Sequence, residues 1–251
     1  MKILLTNDDG IHAEGLWALY DRLSEKHSVT VVAPDRERSA VGHAITLAHP
    51  LRAEPVSVNG KKGIAVSGTP ADCVKLAILE LLDKKPDMVI SGINPGANIG
   101  VNLNYSGTVS AAREAGLYGI PALAVSIHAR VECLYGEAAA FISTLAERVM
   151  EQKLPAGTVL NVNLPNLPLG EMAGIRISRQ SVSVLSESFE KRTDPRNRHY
   201  FWQGCDEHTA FDDPETDGAL LRDNFISITP IQCDMTDYEA MGILKGWLDQ
   251  P

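Results

Sequence analysis

The residues best suited to chemistry in this chain are two adjacent carboxylates, Asp8 and Asp9, which follow an apolar run at the N-terminus. Two neighbouring carboxylates repel each other when both are ionised, and a bound cation or a shared proton relieves that repulsion. The pair therefore indicates a metal site. The alternative is a polar turn in which an Asp caps the following helix, because Asx turns and caps are common.

Two further segments carry groups that could approach a ligand. Residues 92–100 are rich in Gly and Asn, so they can bring backbone N–H groups and amide oxygens close to a bound molecule. Ser106-Gly107-Thr108 precedes a run of small residues and would leave free N–H groups at a helix start, where phosphate binds readily. The alternative for Ser106 or Thr108 is an ordinary N-cap.

The elements that must position these groups alternate between buried strands and amphipathic helices. Apolar runs predict strands at residues 3–5, 29–33, 87–91, 121–127 and 159–163, and helical spacing predicts helices at 14–27, 70–81, 110–116, 141–149 and 238–248. In a parallel sheet the carboxyl ends of the strands face one crevice, so the polar segments should meet there. We predict an α/β fold, Rossmann-like and doubly wound, with a mostly parallel sheet.

Short alternating segments interrupt this pattern in two places. Residues 45–51, 53–58 and 63–66 predict inserted hairpin strands, and residues 225–230 predict one more strand near the end of the chain. Residues 175–204 alternate weakly and contain many arginines, which favours extended hairpins over core. We therefore predict a Rossmann-like catalytic core at residues 1–165 and an oligomerising region of hairpins with a terminal helix at 166–251. The acidic residues 212–217 are a second ion site or, as we favour, an exposed turn.

The composition excludes several classes of protein. The 251 residues carry 23 Lys and Arg against 32 Asp and Glu, and this net charge of -9 argues against binding to a nucleic-acid polymer. The scattered Cys73, Cys133, Cys205 and Cys233 lack the spacing of a zinc or redox motif, so we expect free thiols. Neither a signal peptide nor an apolar run of about 20 residues is recognisable, which predicts a cytoplasmic protein without a membrane partner.

The donor set at the predicted sheet edge selects the kind of metal. Two carboxylates, a hydroxyl from the Ser39 loop and an amide oxygen from the loop of Asn94 and Asn98 are hard ligands. Such ligands suit Mg²⁺, Mn²⁺ or Ca²⁺, whereas zinc would require a His and Cys grouping that the sequence does not show. A hard cation beside an anion-binding helix start is suited to phosphoryl chemistry.

Five segments of the chain resemble the successive signatures of the SurE family, in the same order and spacing. They are Thr6-Asn7-Asp8-Asp9-Gly10, Arg36-Glu37-Arg38-Ser39-Ala40-Val41-Gly42-His43, Ser67-Gly68-Thr69-Pro70, Ser91-Gly92-Ile93-Asn94 and Tyr105-Ser106-Gly107-Thr108. The resemblance extends over essentially the whole chain. It implies a cytoplasmic, metal-dependent phosphomonoesterase that hydrolyses nucleoside 5′- and 3′-monophosphates, with a possible side activity on polyphosphate.

The resemblance also assigns roles to individual residues. It implies that one Mg²⁺ or Mn²⁺ ion per subunit is held by Asp8, Asp9, Ser39 and Asn94. It further implies that the substrate phosphate is met by Asn98, Ser106, Gly107 and Thr108. Finally, it implies a homodimer or homotetramer in which the C-terminal hairpin and the final helix are exchanged between subunits.

For the reaction we expect in-line attack of a metal-bound water that Asp8 or Asp9 orients or deprotonates. A covalent route with Asp8 as nucleophile is the less favoured alternative, because a carboxylate committed to a metal is a poorer nucleophile. His43 and His128 are candidate acids for the leaving group, although a structural hydrogen bond explains each histidine more simply.

Two rival functions come from other classes. A nucleotide-sensing module without turnover is disfavoured by the acidic pair, because a phosphate binder gains nothing from two carboxylates unless a metal intervenes. A Rossmann-type dehydrogenase is disfavoured because the glycines of residues 92–100 lack the G-x-G-x-x-G spacing.

Overall fold

The structure, a computed structural model, describes residues 1–182, 188–204 and 213–248. Within them, nine strands form one mixed sheet in the order β3-β4-β2-β1-β5-β6-β7-β11-β8, and two more strands form a separate hairpin. The strands are β1 Lys2–Thr6, β2 Ser28–Pro34, β3 Ala53–Val58, β4 Lys61–Val66, β5 Met88–Pro95, β6 Ala122–His128, β7 Thr158–Pro165, β8 Gly174–Ile177, β9 Phe189–Thr193, β10 His199–Gln203 and β11 Phe225–Gln232. The helices are α1 Glu14–Ser24, α2 Pro70–Leu76, α3 Gly107–Leu117, α4 Tyr135–Gln152, α5 Asp217–Arg222 and α6 Tyr238–Leu248.

Strand β1 lies in the middle of the sheet and is parallel to both of its neighbours. Leu5 pairs with Val31 of β2 on one side and with Ile90 of β5 on the other. The chain order runs outward from β1 in both directions, so the carboxyl end of β1 lies at a switch point of the topology. Asp8 and Asp9, directly after this strand, therefore stand at the predicted edge of the sheet.

Helices cover both faces of the sheet, which confirms the doubly wound α/β fold. Helices α1 and α4 pack together on one face, where Leu16, Leu19 and Ile142 are buried. Helices α2 and α3 pack on the other face, where Val74 and Val109 are buried. These two apolar layers fix the sheet between them, so the loops at the carboxyl edge rest on a rigid support.

Strand β5 continues further than the sequence predicts. We expected a loop from Gly92, but the strand runs to Pro95, and Asn94 pairs with Ser126 of β6 after a register shift. Helix α1 packs directly on this strand, because a Cβ added at Gly15 would lie 2.2 Å from the Ile93 carbonyl oxygen. The strand itself thus carries Asn94 to the sheet edge.

The inserted hairpin is confirmed only in part. Strands β3 and β4 pair antiparallel, and β4 joins the main sheet beside β2. The strand predicted at residues 45–51 is wrong, because that segment has no regular secondary structure. The helix predicted at 70–81 changes form at residue 77, where α2 gives way to a π-helical turn, Ala77–Leu81.

The C-terminal part of the chain divides between the sheet and the separate hairpin. Strands β9 and β10 form the predicted extended hairpin, whereas β8 joins the main sheet parallel to β11. Strand β11 pairs antiparallel with β7, and its Ile226 and Ile228 belong to the core. Helix α6 lies at the predicted position and has no buried residue. The domain boundary at residue 165 stays a prediction.

Two further predictions concern the cysteines and the membrane. Cys73, Cys133 and Cys233 are free thiols, whereas Cys205 lies outside the described residues. Among the helices that the structure describes, none is long and apolar enough to cross a lipid bilayer.

Candidate active site

The chain turns sharply after β1, and this turn allows both carboxylates to face the sheet edge. The Asn7 side chain donates to the Gly10 carbonyl oxygen at 2.9 Å and accepts from the Gly10 N–H at 3.2 Å. The predicted helix-capping alternative is wrong for the acidic pair, because the N-cap of α1 is Ala13 and no side chain caps that helix. The two Asp side chains are thus left for another purpose.

Asp8 is buried against the amino end of helix α3. The Thr108 hydroxyl donates to Asp8 Oδ1 at 2.5 Å, and only 6% of the Asp8 surface is exposed. A Cβ added at Gly107 would lie 2.7 Å from Asp8 Cβ, so only glycine permits this approach. Burial raises the pKa of the Asp8 carboxyl, and the Thr108 hydroxyl offsets part of that rise. The structure therefore joins the first and last of the polar segments in one site.

The surroundings of the Asp9 carboxylate favour a bound cation or proton. Its Oδ2 is buried and has no hydrogen-bond partner among the residues that the structure describes. Burial, followed by the charges of Asp8 and Glu37, raises the pKa of Asp9 to about 7. A buried carboxylate next to a second one is stabilised by a proton or by a cation. The geometry thus supports the metal-site interpretation of the pair.

The neutral donors predicted for the metal lie in the neighbouring segments. Asn94 is half-buried, and its Nδ2 donates to the Gly96 carbonyl oxygen at 2.6 Å, which leaves Oδ1 as its acceptor. The Ser39 loop is tied to β1 because the Arg38 N–H donates to the Asp8 carbonyl oxygen at 2.7 Å. The Ser39 side chain is exposed, and its hydroxyl donates to Glu37 Oε1 at 2.6 Å.

This donor set fits a hard cation such as Mg²⁺ or Mn²⁺ better than zinc. In residues 1–182, 188–204 and 213–248, no group of three or more His, Cys, Asp or Glu side chains is placed to hold a metal. An ion beside Asp8 and Asp9 would therefore need the amide and hydroxyl oxygens of Asn94 and Ser39 as well. Mg²⁺ and Mn²⁺ accept such mixed oxygen ligands.

Glu37 is a further acidic neighbour of Asp8 and Asp9 that the sequence analysis did not single out. Its charge raises the pKa of both Asp8 and Asp9, and it accepts the hydrogen bond from Ser39. The available signal was an acidic residue in the polar loop that follows β2, at the same sheet edge. Glu37 adds to the negative potential that a cation would meet there.

The predicted phosphate segment, Ser106-Gly107-Thr108, begins helix α3, and its two hydroxyl groups have different partners. Ser106 is the N-cap, and its hydroxyl accepts from the Val109 N–H at 3.1 Å, so the N-cap alternative is correct for Ser106. It is wrong for Thr108, whose hydroxyl binds Asp8. The first N–H groups of an α-helix lack partners within that helix, which leaves Gly107 and Thr108 suited to an anion.

Asn98 is held by three buried side chains from the adjacent strands. Its N–H donates to Asn163 Oδ1 at 2.8 Å, and its carbonyl oxygen accepts from Asn161 at 2.8 Å and from Asn163 at 2.9 Å. Its own Nδ2 donates to Ser126 Oγ at 2.9 Å. The sequence analysis missed these partners, although polar residues within apolar strands were a usable signal.

The other candidates lie apart from the carboxylates or serve another purpose. His43 Nε2 lies 2.8 Å from Glu114 Oε2, which supports the structural interpretation of that histidine, and His128 is exposed at the end of β6. The exposed turn predicted at residues 212–217 is wrong for Asp217, which is fully buried, while Asp213 pairs with Arg179. Asp212 lies outside the described residues.

Comparison with known proteins assigns the chain to a family. It is 58% identical to the 5′-nucleotidase SurE of Desulfatibacillum aliphaticivorans, over 98% of both chains. It is 49% identical to the 5′-nucleotidase SurE of Syntrophobacter fumaroxidans, over 98% of this chain and 99% of that relative. The crystal structure of the SurE protein from Aquifex aeolicus matches 99% of this chain and all of its own, with a TM-score of 0.86 and 38% identity. The family model described as survival protein SurE matches residues 3–187, and the chain therefore belongs to the SurE family.

Proposed function

We propose that this protein is a divalent-metal-dependent phosphomonoesterase that hydrolyses nucleoside 5′-monophosphates, and 3′-monophosphates as well, to nucleoside and phosphate. One observation carries the proposal: the buried carboxylate of Asp8 lies against the amino end of helix α3 through Thr108 and Gly107, and the adjacent Asp9 keeps a buried Oδ2 without a hydrogen-bond partner among the described residues. A carboxylate pair that a cation would stabilise is thus next to a helix start that can bind an anion. Relatives that are 58% and 49% identical carry the name 5′-nucleotidase, which supports the substrate class.

The metal in this proposal is one Mg²⁺ or Mn²⁺ ion per subunit, held by Asp8, Asp9, Asn94 and Ser39. The unpartnered and buried Asp9 Oδ2 supports this assignment, as does the oxygen-only donor set. When bound, such an ion supplies charge neutralisation at the phosphoryl group. Ser39 would have to turn away from Glu37 to serve as a ligand, because its hydroxyl donates to that carboxylate.

The chain's own residues then divide the work of the reaction. Thr108 holds Asp8 in place through its hydroxyl, and Asp9 orients the attacking water by accepting a hydrogen bond from it. The N–H groups of Gly107 and Thr108 bind oxygens of the phosphoryl group, with Asn98 beside them. Attack in line with the departing nucleoside requires these groups to converge on one phosphorus, and the turn after β1 brings the carboxylates to the helix start.

The first test of this function is phosphate release from a panel of 5′- and 3′-nucleoside monophosphates and from polyphosphate. The protein is stripped with a chelator and then supplied with Mg²⁺ or Mn²⁺. We expect turnover that returns with the metal and that Asp9→Asn lowers by about a thousandfold, because an oriented water and a metal ligand are lost together.

The matched control is Asp83→Asn, which makes the same chemical change at an exposed position. We expect its turnover to equal that of the wild type. Nucleotide binding without turnover under any of these metal conditions would instead support the nucleotide-sensing module.

We also propose that the protein assembles as a homodimer or homotetramer through its C-terminal elements. Hairpin β9–β10 exposes Phe201 and Trp202, and helix α6 exposes Trp247 and Leu248, the last with 86% of its surface accessible. Apolar side chains in this density are expected to be covered. Light scattering should give a multiple of 27.2 kDa for the full chain and a lower mass for Trp247→Glu. Lys62→Glu, at an exposed position on β4 outside the C-terminal elements, should leave the mass unchanged.

A further inference from the structure

The backbone of Gly100 is held on both sides by the C-terminal part of the chain. Its N–H donates to Asp217 Oδ2 at 2.8 Å, and its carbonyl oxygen accepts from Gln180 Nε2 at 2.8 Å. Gly100 has a φ of +59°, and a Cβ there would lie 3.2 Å from the Ser181 carbonyl oxygen. We name Gln180 and Asp217 the Gly100 clamp.

Asp217 is itself fixed by the backbone around it. Its Oδ1 accepts from the Gly218 N–H at 2.8 Å and from the Ser181 N–H at 3.2 Å. Its own N–H donates to the Arg179 carbonyl oxygen at 2.9 Å. Because the side chain is fully buried and accepts on both oxygens, an amide in its place would turn an NH₂ group toward one of these N–H donors. The carboxylate is therefore required for the clamp.

Gly100 connects the two parts of the proposed phosphate site. Two residues before it lies Asn98, and the 3-10 turn Gly100–Asn104 follows it. This turn leads directly into the N-cap of α3, because the Ser106 N–H donates to the Asn102 carbonyl oxygen at 3.2 Å. A shift of the Gly100 backbone would thus move Asn98 relative to the start of α3.

We propose that Asp217 and Gln180 are positioning residues that set the phosphate side of the site from the C-terminal region. This inference rests on the proposed function. It separates two properties, because the clamp acts on the segment from Asn98 to the turn before α3. Asp8 and Asp9 follow β1 and its turn, and helix α3, which carries Thr108, is held by its own packing against α2, β5 and β6. Loss of the clamp should weaken substrate binding without weakening metal binding.

The test compares Gln180→Met with Gln152→Met in the full-length protein. Gln180 is half-buried, and its change to Met keeps the length of the side chain while removing the donor to Gly100. Gln152 is exposed at the end of α4 and serves as the matched control. We expect Gln180→Met to raise KM about tenfold, since the carbonyl of the buried Gly100 loses its partner, with kcat changed less than threefold.

Two further measurements distinguish positioning from a general loss of stability. Calorimetry with Mn²⁺ should give the same Kd for Gln180→Met and for the wild type. Hydrogen exchange should be faster in residues 98–106 of the variant and unchanged in residues 3–23. Asp217→Asn should produce a larger change of the same kind, and the double variant should show less than the sum of the two effects, because both residues act on the backbone of the same residue, Gly100.

The proposal is overturned if Gln180→Met folds and keeps the KM of the wild type, or if its Mn²⁺ affinity falls together with its substrate affinity. Failure of the proposed function gives a different result. In that case the wild type has no nucleotidase activity. Amide hydrogen exchange in residues 98–106, compared between Gln180→Met and the wild type, still reports whether the clamp holds this segment.

Discussion

At the end of β1, Asp9 keeps a buried oxygen for which the described residues offer no hydrogen-bond partner. One strand further along the sheet, the backbone N–H and C=O groups of Asn98 and Gly100 are held by side-chain donors and acceptors from several other elements. We call Asp8 and Asp9 the carboxylate half of the site, and Asn98 and Gly100 its amide half. The carboxylate half lowers the stability of the folded protein when no ligand is bound, whereas the amide half is already held in place by hydrogen bonds. Ligand binding should therefore change mainly the energy of the first half and little of the geometry of the second.

The largest expected effect comes from breaking the contact between helix α3 and the carboxylate half. Gly107→Ala places a methyl group 2.7 Å from Asp8 Cβ, so the helix start or the carboxylate must move. We expect kcat/KM to fall by about a thousandfold, or about 4 kcal/mol in the transition-state free energy.

Gly136→Ala in helix α4 is the control for this change. A Cβ at Gly136 meets no atom within 4 Å, so its activity should equal that of the wild type. Activity of Gly107→Ala within threefold of the wild type would show that Asp8 and the α3 start do not work as one site.

The second prediction concerns the unfolding free energy that is lost when the Asp9 carboxyl ionises in the absence of a metal. The pKa of Asp9 is raised from 3.8 to about 7 in the folded protein, so the folded state holds a proton more tightly than the unfolded chain. Its stability should therefore fall as the pH rises from about 4 to 7. In chelator, Asp9→Asn should remove this loss and gain about 3 kcal/mol in unfolding free energy over the wild type at pH 8, with little gain at pH 4.

Chemical denaturation at the two pH values makes this measurement, with Asp83→Asn as a variant that should show no such difference. Adding Mn²⁺ at pH 8 should reverse the order, because the ion stabilises only the protein that keeps both carboxylates. A gain for Asp9→Asn that is equal at pH 4 and pH 8 would show that ionisation of Asp9 is not the cause of the lost stability.

A smaller effect is expected from the hydrogen bond between Thr108 of helix α3 and Asp8. Thr108→Val keeps the shape of the side chain and removes its donor to Asp8. The Thr108 hydroxyl lowers the pKa of Asp8, so its loss should raise that pKa further and shift the acid limb of the pH–rate profile upward. We expect kcat/KM at neutral pH to fall by about thirtyfold, or about 2 kcal/mol.

Thr108→Ser is the matched control, because it keeps the hydroxyl. Its profile should follow that of the wild type. Equal pH–rate profiles for the Val and Ser variants would show that the Thr108 hydroxyl does not lower the pKa of Asp8.

The smallest effect should arise in the amide half. Ser126→Ala removes the acceptor of the Asn98 Nδ2 hydrogen bond and leaves the backbone bonds of Asn98 in place. We expect KM to rise about threefold, which corresponds to about 0.7 kcal/mol, with no change in the pH profile. A change as large as that of Thr108→Val would show that the amide half is as sensitive as the carboxylate half.

The sequence predicts the carboxylate half of the site well, because its signals are local. An apolar run followed by two Asp residues predicts a buried strand and its polar end, and small residues after Ser106 predict a helix start. The topology rule for parallel strands then brings these segments to one edge. The structure confirms that edge through the contact of Asp8 with Thr108.

The amide half could not be predicted in the same way, because its partners are remote in sequence. Asn98 and Asn163 are separated by 65 residues, and Gly100 and Asp217 by 117. Asp217 lies in an acidic segment whose composition favours an exposed turn, and only the packing of α5 buries its side chain. The strand at Asn94 was missed for a related reason, since a Gly-rich sequence masks a pairing that β6 supplies.

The contact between Asp8 and Thr108 also has a consequence during protein synthesis. Asp8 is among the first residues that leave the ribosome, whereas its hydrogen-bond partner follows 100 residues later and the Gly100 clamp is completed only at Asp217. The nascent chain therefore presents an unassembled acidic turn for most of its translation. Long-range contacts of this kind form slowly, so the proposed active site is complete only when nearly the whole chain has been made.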